Sequence, residues 1–216
     1  MTTTDVTDRL SSRETGLAGW LWLTLIKHLS DGDPVDLRDL ATDTGRSVDD
    51  VRAALAEVPD TEYDGSGRII GQGLTLRATP HHFEVDGEQL YTWCALDTLI
   101  FPSLLRRSAR IESAYGSTGT PVKISVSPTG VTSLEPSTAV VSLVNPEDMN
   151  QVRSSFCNQV HFFASPEEAA PWLEAHPGGT VIPVDEAYTL GTQIAQNMLA
   201  ETTTRASSPA PEASCC

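Results

Sequence analysis

Basic residues are scarce in this sequence, which has 14 Lys and Arg against 29 Asp and Glu and a formal net charge of −15. Nucleic acids and anionic membranes bind basic surfaces, so this balance argues against both kinds of partner. Long apolar runs are also missing, because the longest one near the start, residues 17–26, is far shorter than the ~20 residues of a membrane span. The opening residues, MTTTDVTDRLSSRETG, carry acids and no apolar core, unlike a secretory signal. We therefore expect a cytoplasmic protein.

The cysteine motifs of structural zinc sites are absent as well. The sequence has no CxxC and no Cys/His pair with zinc-finger spacing. Its four cysteines are Cys94 and Cys157, which lie in apolar surroundings, and Cys215 and Cys216, the last two residues. In a reducing cytosol these are expected to be free thiols rather than a disulfide framework.

Histidines give no stronger metal motif. His81, His82 and His161 stand at no recognised ligand spacing. We expect the His81–His82 pair to lie in a solvated loop between strands and His161 to be a packed core residue.

The first part of the chain predicts three helices followed by a hairpin. Apolar residues recur at helical spacing in residues 15–29, and shorter helices are expected over residues 36–43 and 47–58. Strand-like residues 62–63 and 68–70 flank the turn sequence DGSG. Two helices around a Gly-containing turn, followed by a hairpin, indicate a winged-helix-like unit. Between residues 33 and 60 it carries eight acids against three arginines, so we expect a structural or lid role rather than DNA binding.

The second part of the chain predicts an antiparallel sheet with flanking helices. Strands are expected over residues 109–113, 122–127, 131–134 and 139–144, and helices over residues 166–175 and 184–201. The expected fold class is α+β. The expected divisions are a flexible N-terminus (1–14), a winged-helix-like domain (15–85), an α+β core (86–201) and a disordered tail (202–216) that ends in a Cys pair.

One stretch, YTWCALDTLIFPSLL over residues 91–105, combines apolar character with reactive side chains. It predicts a buried helix that is interrupted or bent near Pro102. Cys94 and Asp97 are three residues apart, which places them on one face of such a helix. A carboxylate on an apolar helix is costly to bury unless the protein uses it, so this pair indicates a site.

A second thiol, Cys157, lies among the aromatic residues Phe156, Phe162 and Phe163. Residue types alone leave two interpretations of Cys94 and Cys157 open. Each could be a small buried hydrophobe, or together they could form a reactive or metal-binding pair.

Two segments are highly distinctive: WCALDTLIFP, residues 93–102, and FCxxVHFF, residues 156–163. Four shorter segments accompany them: TEYD, IGQGLTLR, TGTPV and SVSP. Together these segments resemble one known family, the alkylmercury (organomercurial) lyases of bacterial mercury resistance. The resemblance runs from about residue 15 to about residue 200.

The resemblance implies a catalytic trio of Cys94, Asp97 and Cys157. The expected reaction is protonolysis of a carbon–mercury bond, which yields a hydrocarbon and Hg(II). Both thiolates would bind mercury, a soft metal, and Asp97 would transfer the proton. No resident cofactor is expected; low-molecular-weight thiols would act as co-reactants, and a mercuric reductase as a further partner.

Two other functions stay open at this point. A non-enzymatic protein could sequester mercury or copper with Cys94 and Cys157, although it would have no use for a proton donor at Asp97. A mercury-responsive transcription factor is disfavoured by the acidic helices. The tail thiols Cys215 and Cys216 form a vicinal dithiol that would suit hand-off of Hg(II), or they are an inert terminus.

Overall fold

The computed structural model describes residues 18–58, 60–114, 119–145 and 152–206, with side chains up to residue 198. The flexible N-terminus predicted for residues 1–14 and the cysteines of the predicted tail, Cys215 and Cys216, lie outside these ranges. Among the described helices, none combines the length and the apolar character that crossing a membrane requires.

Three helices form the first layer: α1 (Gly19–Leu29), α2 (Leu37–Thr44) and α3 (Val48–Ala56). The sequence fixes their ends through local hydrogen bonds. Ser47 and Asp50 form the capping box that starts α3, and Gly45 ends α2 in the left-handed conformation that glycine adopts without strain.

The predicted hairpin is present as β1 (Glu62–Tyr63) and β2 (Ile69–Gln72). It docks on the helices through Val35, whose backbone N–H and C=O both bond to Ile69. The three helices and this hairpin confirm the winged-helix-like unit.

The two hairpin strands are also the first two strands of a larger antiparallel sheet, so the hairpin is continuous with the rest of the fold. The further strands are β3 (Leu74–Thr75), β4 (His81–Val85), β5 (Glu88–Thr92), β6 (Ala109–Ala114), β7 (Pro121–Ser127) and β8 (Gly130–Glu135). The strand order is β1-β2-β3-β5-β4-β6-β7-β8. The domain boundary predicted after residue 85 falls in the turn between the paired strands β4 and β5; it stays a prediction.

The central helix, α4 (Ala95–Leu105), has nine buried residues out of eleven and packs between the larger sheet and the last helix. The helix predicted from Tyr91 was wrong in its first four residues. Tyr91 and Thr92 belong to β5, where both pair with β3 and Tyr91 also pairs with β4. The prediction failed there because an apolar run alone does not separate a buried strand from a buried helix. Pro102 does not interrupt α4, which continues for three more residues.

The remaining elements form a smaller layer beside α4. They are β9 (Val140–Leu143), α5 (Val152–Ser155), a 3₁₀ helix (Cys157–Gln159), β10 (Phe162–Phe163), α6 (Pro166–Ala175), β11 (Thr180–Pro183) and α7 (Val184–Ala206). Strands β10, β9 and β11 make a three-stranded antiparallel sheet. The whole arrangement confirms the predicted α+β class. Helix α7 reaches Ala206, beyond the predicted start of the tail at residue 202, because the chain has no Pro or Gly between Gly191 and Pro209.

Candidate active site

Two thiols and one carboxyl group converge at the start of α4. The sulfur atoms of Cys94 and Cys157 and a carboxylate oxygen of Asp97 all lie within 4.8 Å of one another. In the part of the chain that the structure describes, no other cluster of three or more Cys, His, Asp or Glu side chains is arranged to hold a metal ion. Both cysteines are buried, unlinked thiols. The structure therefore brings together the three residues that the sequence analysis selected.

Cys94 and Asp97 are adjacent because of how α4 begins. Cys94 is the N-cap residue, with extended backbone angles (φ −146°, ψ 169°), and Asp97 lies in the first turn. The Asp97 carboxyl group accepts hydrogen bonds from the backbone N–H and the thiol of Cys94, as the third residue of a capping box does. A thiol is a poor replacement for the Ser, Thr, Asp or Asn preferred at an N-cap. Helix α4 therefore begins at a weak N-cap residue, and that residue forms a reactive pair with Asp97.

Cys157 reaches this pair through a backbone contact between the two thiol-bearing segments. The N–H of Ala95, next to Cys94, donates to the carbonyl of Val160 over 3.1 Å. Val160 directly follows the 3₁₀ helix that Cys157 begins. A main-chain hydrogen bond therefore helps to set the separation of the two thiols.

A polar cradle supports the 3₁₀ helix from the other side. The Ser142 hydroxyl donates to the carbonyl of Gln159 over 2.9 Å and accepts from the N–H of His161 at 2.9 Å. The ring of His176 bonds the side-chain amide of Gln159 over 2.8 Å. These contacts come from three separate elements, so the sequence analysis had no local pattern by which to find them.

The histidine predictions had mixed outcomes. His161 is buried, which confirms the core prediction, but the solvated loop expected for the His81–His82 pair was wrong. His81 is 1% exposed in β4, bonds the Ser113 hydroxyl at 2.8 Å and stacks on His161. Strand alternation turns His81 inward with Phe83, while His82 is exposed. Burial lowers the pKa of His81 to about 3 and that of His161 to about 4, so both rings are neutral at physiological pH.

Burial controls the protonation of the trio. It raises the pKa of Asp97 to about 6, and the hydrogen bonds from Cys94 only partly offset this effect. Burial, the hydrogen bond to Cys157 and the Asp97 charge raise the pKa of the Cys94 thiol well above its usual range. The hydrogen bond from Cys94 lowers the pKa of Cys157, but burial and the Asp97 charge outweigh it. The free site therefore holds two protonated thiols beside a carboxyl group that titrates just below neutrality.

An apolar cavity of about 90 Å³ opens onto this cluster. Cys157 and Asp97 line it, whereas Cys94 does not and is only 1% exposed. The Oδ2 atom of Asp97 is buried and has no hydrogen-bond partner. A ligand that enters the cavity thus meets Cys157 and Asp97 first, whereas Cys94 does not line the cavity.

Arg153 connects the segment before Cys157 to other segments beside the cavity. The sequence analysis did not select this residue. Its guanidinium lies 4.6 Å from the ring centroid of Trp93 and donates to Glu62 over 2.5 Å. Its backbone N–H donates to Asp60, which lines the cavity, over 3.2 Å. Glu62 in turn accepts from the Thr75 hydroxyl. The segment before Cys157 is thereby tied to β1 and to the residue before Cys94.

Replacing Ala95 by Pro tests whether the main-chain contact sets the thiol separation. Proline suits the first position of a helix and the extended residue before it, so Ala95→Pro removes the donor to Val160 and leaves α4 intact. We expect mercury affinity to fall at least about tenfold, because one lost hydrogen bond to a buried carbonyl costs roughly 1–3 kcal/mol. Competition with a chelating dithiol measures the affinity. The matched control is Ala95→Gly, which keeps the N–H; equal affinities in the two variants would contradict the prediction.

A buried dithiol beside a titrating carboxyl group, in an apolar cavity, defines a site for a soft metal that also transfers a proton. Comparison with known proteins agrees. Residues 74–196 match the alkylmercury lyase family, and residues 2–73 match the helix-turn-helix domain of alkylmercury lyase.

Curated relatives extend over most of the chain. Alkylmercury lyase of Streptomyces lividans is 56% identical over 180 residues, which cover 83% of this chain and 84% of the relative. The Bacillus cereus enzyme is 54% identical over 172 residues (80% and 79%), and the Pseudomonas putida enzyme is 49% identical over 179 residues (83% and 84%).

The fold has a solved counterpart, a crystal structure of the mercury-bound form of MerB2. It superposes with a TM-score of 0.73 at 23% identity and covers 90% of this chain and 99% of that one. The chain belongs to the alkylmercury lyase family. This membership confirms the resemblance found in the sequence and the expected enzyme class, cleavage of carbon–mercury bonds.

Proposed function

We propose that Cys94, Cys157 and Asp97 cleave the carbon–mercury bond of an organomercurial by protonolysis. The observation that supports this assignment is the placement of the Asp97 carboxyl group within 4.8 Å of both sulfur atoms. Two thiolates suffice to hold mercury; only a reaction that consumes a proton needs the acid beside them.

Binding begins at Cys157, because its thiol lines the cavity and that of Cys94 does not. The organomercurial arrives as a complex with an external thiolate. The Cys157 sulfur displaces that thiolate, which leaves with the Cys157 proton, and a mercury–sulfur bond replaces the one broken. Mercury prefers such soft ligands over imidazole or carboxylate.

The Cys94 thiol then adds as the second sulfur ligand. Its proton passes to Asp97, which already accepts a hydrogen bond from this thiol. The raised pKa of Asp97 makes it able to hold the proton near neutral pH. A second thiolate adds electron density at mercury and weakens the bond to carbon.

Protonolysis completes the reaction. Asp97 returns the proton to the carbon atom, the electron pair of the carbon–mercury bond becomes the new carbon–hydrogen bond, and the hydrocarbon leaves. Hg(II) stays bound to two protein thiolates. Two external thiols then remove it and return their protons to Cys94 and Cys157. Mercury is substrate and product here, and the scheme needs no resident cofactor.

The partners follow from the product. Low-molecular-weight thiols complete each cycle, and we propose a cytoplasmic location, where such thiols stay reduced. Cys215 and Cys216 would accept Hg(II) for transfer to a mercuric reductase. A chain truncated after Ala213 is expected to release Hg(II) to glutathione more slowly than the full chain; equal rates would dispose of this role.

The direct test is hydrocarbon release from the full-length, reduced protein. Methylmercury and phenylmercury are supplied with excess thiol, and headspace gas chromatography measures methane and benzene. Hydrocarbon in molar excess over protein establishes catalysis. Bound mercury without hydrocarbon would instead make this a sequestration protein and would remove the role of Asp97.

The pH profile tests the proton acceptor. Asp97 must be ionised to take the Cys94 proton, and burial raises its pKa to about 6. We therefore expect kcat/KM to fall about tenfold per pH unit below about 6 and to level off above it. The profile of kcat/KM is measured between pH 5 and 8 in a series of buffers whose own components carry no thiol groups. A flat profile through pH 6 would mean that another group accepts the proton.

A further inference from the structure

The organic group of the substrate has one place to go in this site. Cys157 and Cys94 supply the sulfur ligands, and the carbon atom must face Asp97 to receive its proton. Asp97 lines the cavity and its buried Oδ2 atom has no hydrogen-bond partner, while Cys94 is buried and does not line the cavity. The bond from mercury to carbon therefore points into the cavity, and the organic group occupies its apolar part.

The size of this cavity limits the organic group. Its volume is about 90 Å³, whereas a protein cavity of roughly 150 Å³ holds one benzene molecule. A methyl or ethyl group fits within the cavity. A phenyl group either extends out of it or displaces part of its wall, so the least constrained wall residue determines which groups are accepted.

Two parts of the wall are held rigidly. Leu96 and Ile100 belong to the buried helix α4. Gly73 contributes a backbone wall with φ +82°, where an added Cβ would lie 3.1 Å from Phe101 and 3.9 Å from the Asp97 carboxyl carbon. Neither wall can retreat without moving the core of the protein.

Trp22 lines a second cavity as well, as Val58 and Gln72 do, but it has the largest side chain of the three. It projects from α1, is 8% exposed and packs at 6.2 Å against Phe101. It lines the active-site cavity and also a second cavity of about 10 Å³ between α1 and α3. The indole ring thus separates the two cavities, and a smaller side chain at this position would connect them.

We propose that Trp22 sets the size of the organic group that this enzyme accepts, by closing the apolar end of the cavity above Asp97. The proposal rests on the proposed function and adds a specificity determinant to it. It also gives the helical unit a task in the reaction: α1 supplies one wall of the site, although all three reacting groups lie in the sheet-containing part.

The test compares phenylmercury with methylmercury in Trp22→Leu and Trp22→Phe. We expect the ratio of kcat/KM values, phenyl over methyl, to rise at least about tenfold in Trp22→Leu and less in Trp22→Phe. This range follows from the 10- to 200-fold discrimination, roughly, that a methylene-sized change in a pocket produces. Should Trp22→Leu fold poorly, the smaller change in Trp22→Phe decides the matter.

Leu25→Ala is the matched control. Leu25 lies on the same helix and lines only the second cavity, so its truncation destabilises the same packing without reaching the substrate. We expect its ratio to stay within twofold of wild type. Trp22 variants with an unchanged ratio, or a Leu25→Ala ratio raised as far as theirs, would overturn the inference while hydrocarbon release continues. Absence of hydrocarbon from wild type with both substrates would overturn the proposed function as well.

Discussion

Asp97→Asn is expected to bind organomercurials and yet release hydrocarbon at least about 10³-fold more slowly than wild type. Asparagine keeps the size of the side chain and can accept the hydrogen bond from the Cys94 backbone, but it neither takes up nor delivers a proton. General acid–base catalysis contributes typically 10²- to 10⁴-fold. Single-turnover hydrocarbon release measures the loss, and retention of mercury through gel filtration measures binding.

The stability of the same variant provides the control. Burial raises the pKa of Asp97 from 3.8 to about 6, so the folded state holds this proton more tightly than the unfolded chain. Wild type therefore loses stability as pH rises from about 4 to 6, whereas Asp97→Asn does not. Because Asp97 as a whole residue is only partly buried, we expect the variant to be more stable by about 1–3 kcal/mol at pH 7.5. Denaturant unfolding at about pH 4 and at pH 7.5 measures this difference in the free energy of unfolding.

Together the two measurements separate chemistry from folding. An inactive variant that is more stable than wild type at pH 7.5 has lost a reacting group. Full turnover by Asp97→Asn would refute the assigned proton transfer. An inactive variant of lower stability would show that the carboxyl group is mainly structural.

Cys94→Ser and Cys157→Ser should each lower turnover by at least about 10³-fold, because a hydroxyl is a hard ligand and a poor substitute for thiolate on mercury. The structure predicts a difference in binding between them. Cys157 lines the cavity, whereas Cys94 is buried and does not line it. In a chain truncated after Ala213, which lacks the tail thiols, we therefore expect Cys94→Ser to capture one equivalent of organomercurial without cleaving it, and Cys157→Ser to capture little.

Mass spectrometry of the intact protein after exposure to ethylmercury measures capture, and headspace analysis measures cleavage. A single-thiol variant with the wild-type rate would refute the two-thiolate scheme. Equal capture by both variants would leave that scheme intact and would contradict only the order of binding that the cavity indicates.

Whether the sequence alone predicts that two residues of the site lie close in space depends on how far apart they are along the chain. Cys94 and Asp97 are three residues apart, and helix geometry brings them together without further information. Cys157 is far away in sequence, so its place in the trio came from the resemblance to a family. Composition and spacing alone left its role open.

The remaining parts of the site depend on tertiary contacts that no local pattern encodes. Trp22 reaches the cavity because α1 packs against α4, and Arg153 meets Glu62 from 91 positions away. The misplaced helix start at Tyr91 has a different cause. An unbroken apolar run fits a buried strand and a buried helix equally well, and only pairing with β3 and β4 decides between them.

The bond from Ala95 to Val160 also bears on how such a chain can change over generations. Every residue except proline carries the same peptide N–H, so neutral drift at these two positions alters side chains without altering the link. This link by itself therefore requires no particular side chain at either position. The relatives differ from this chain at about half of the aligned positions. A hydrogen bond between two peptide groups can persist through such divergence.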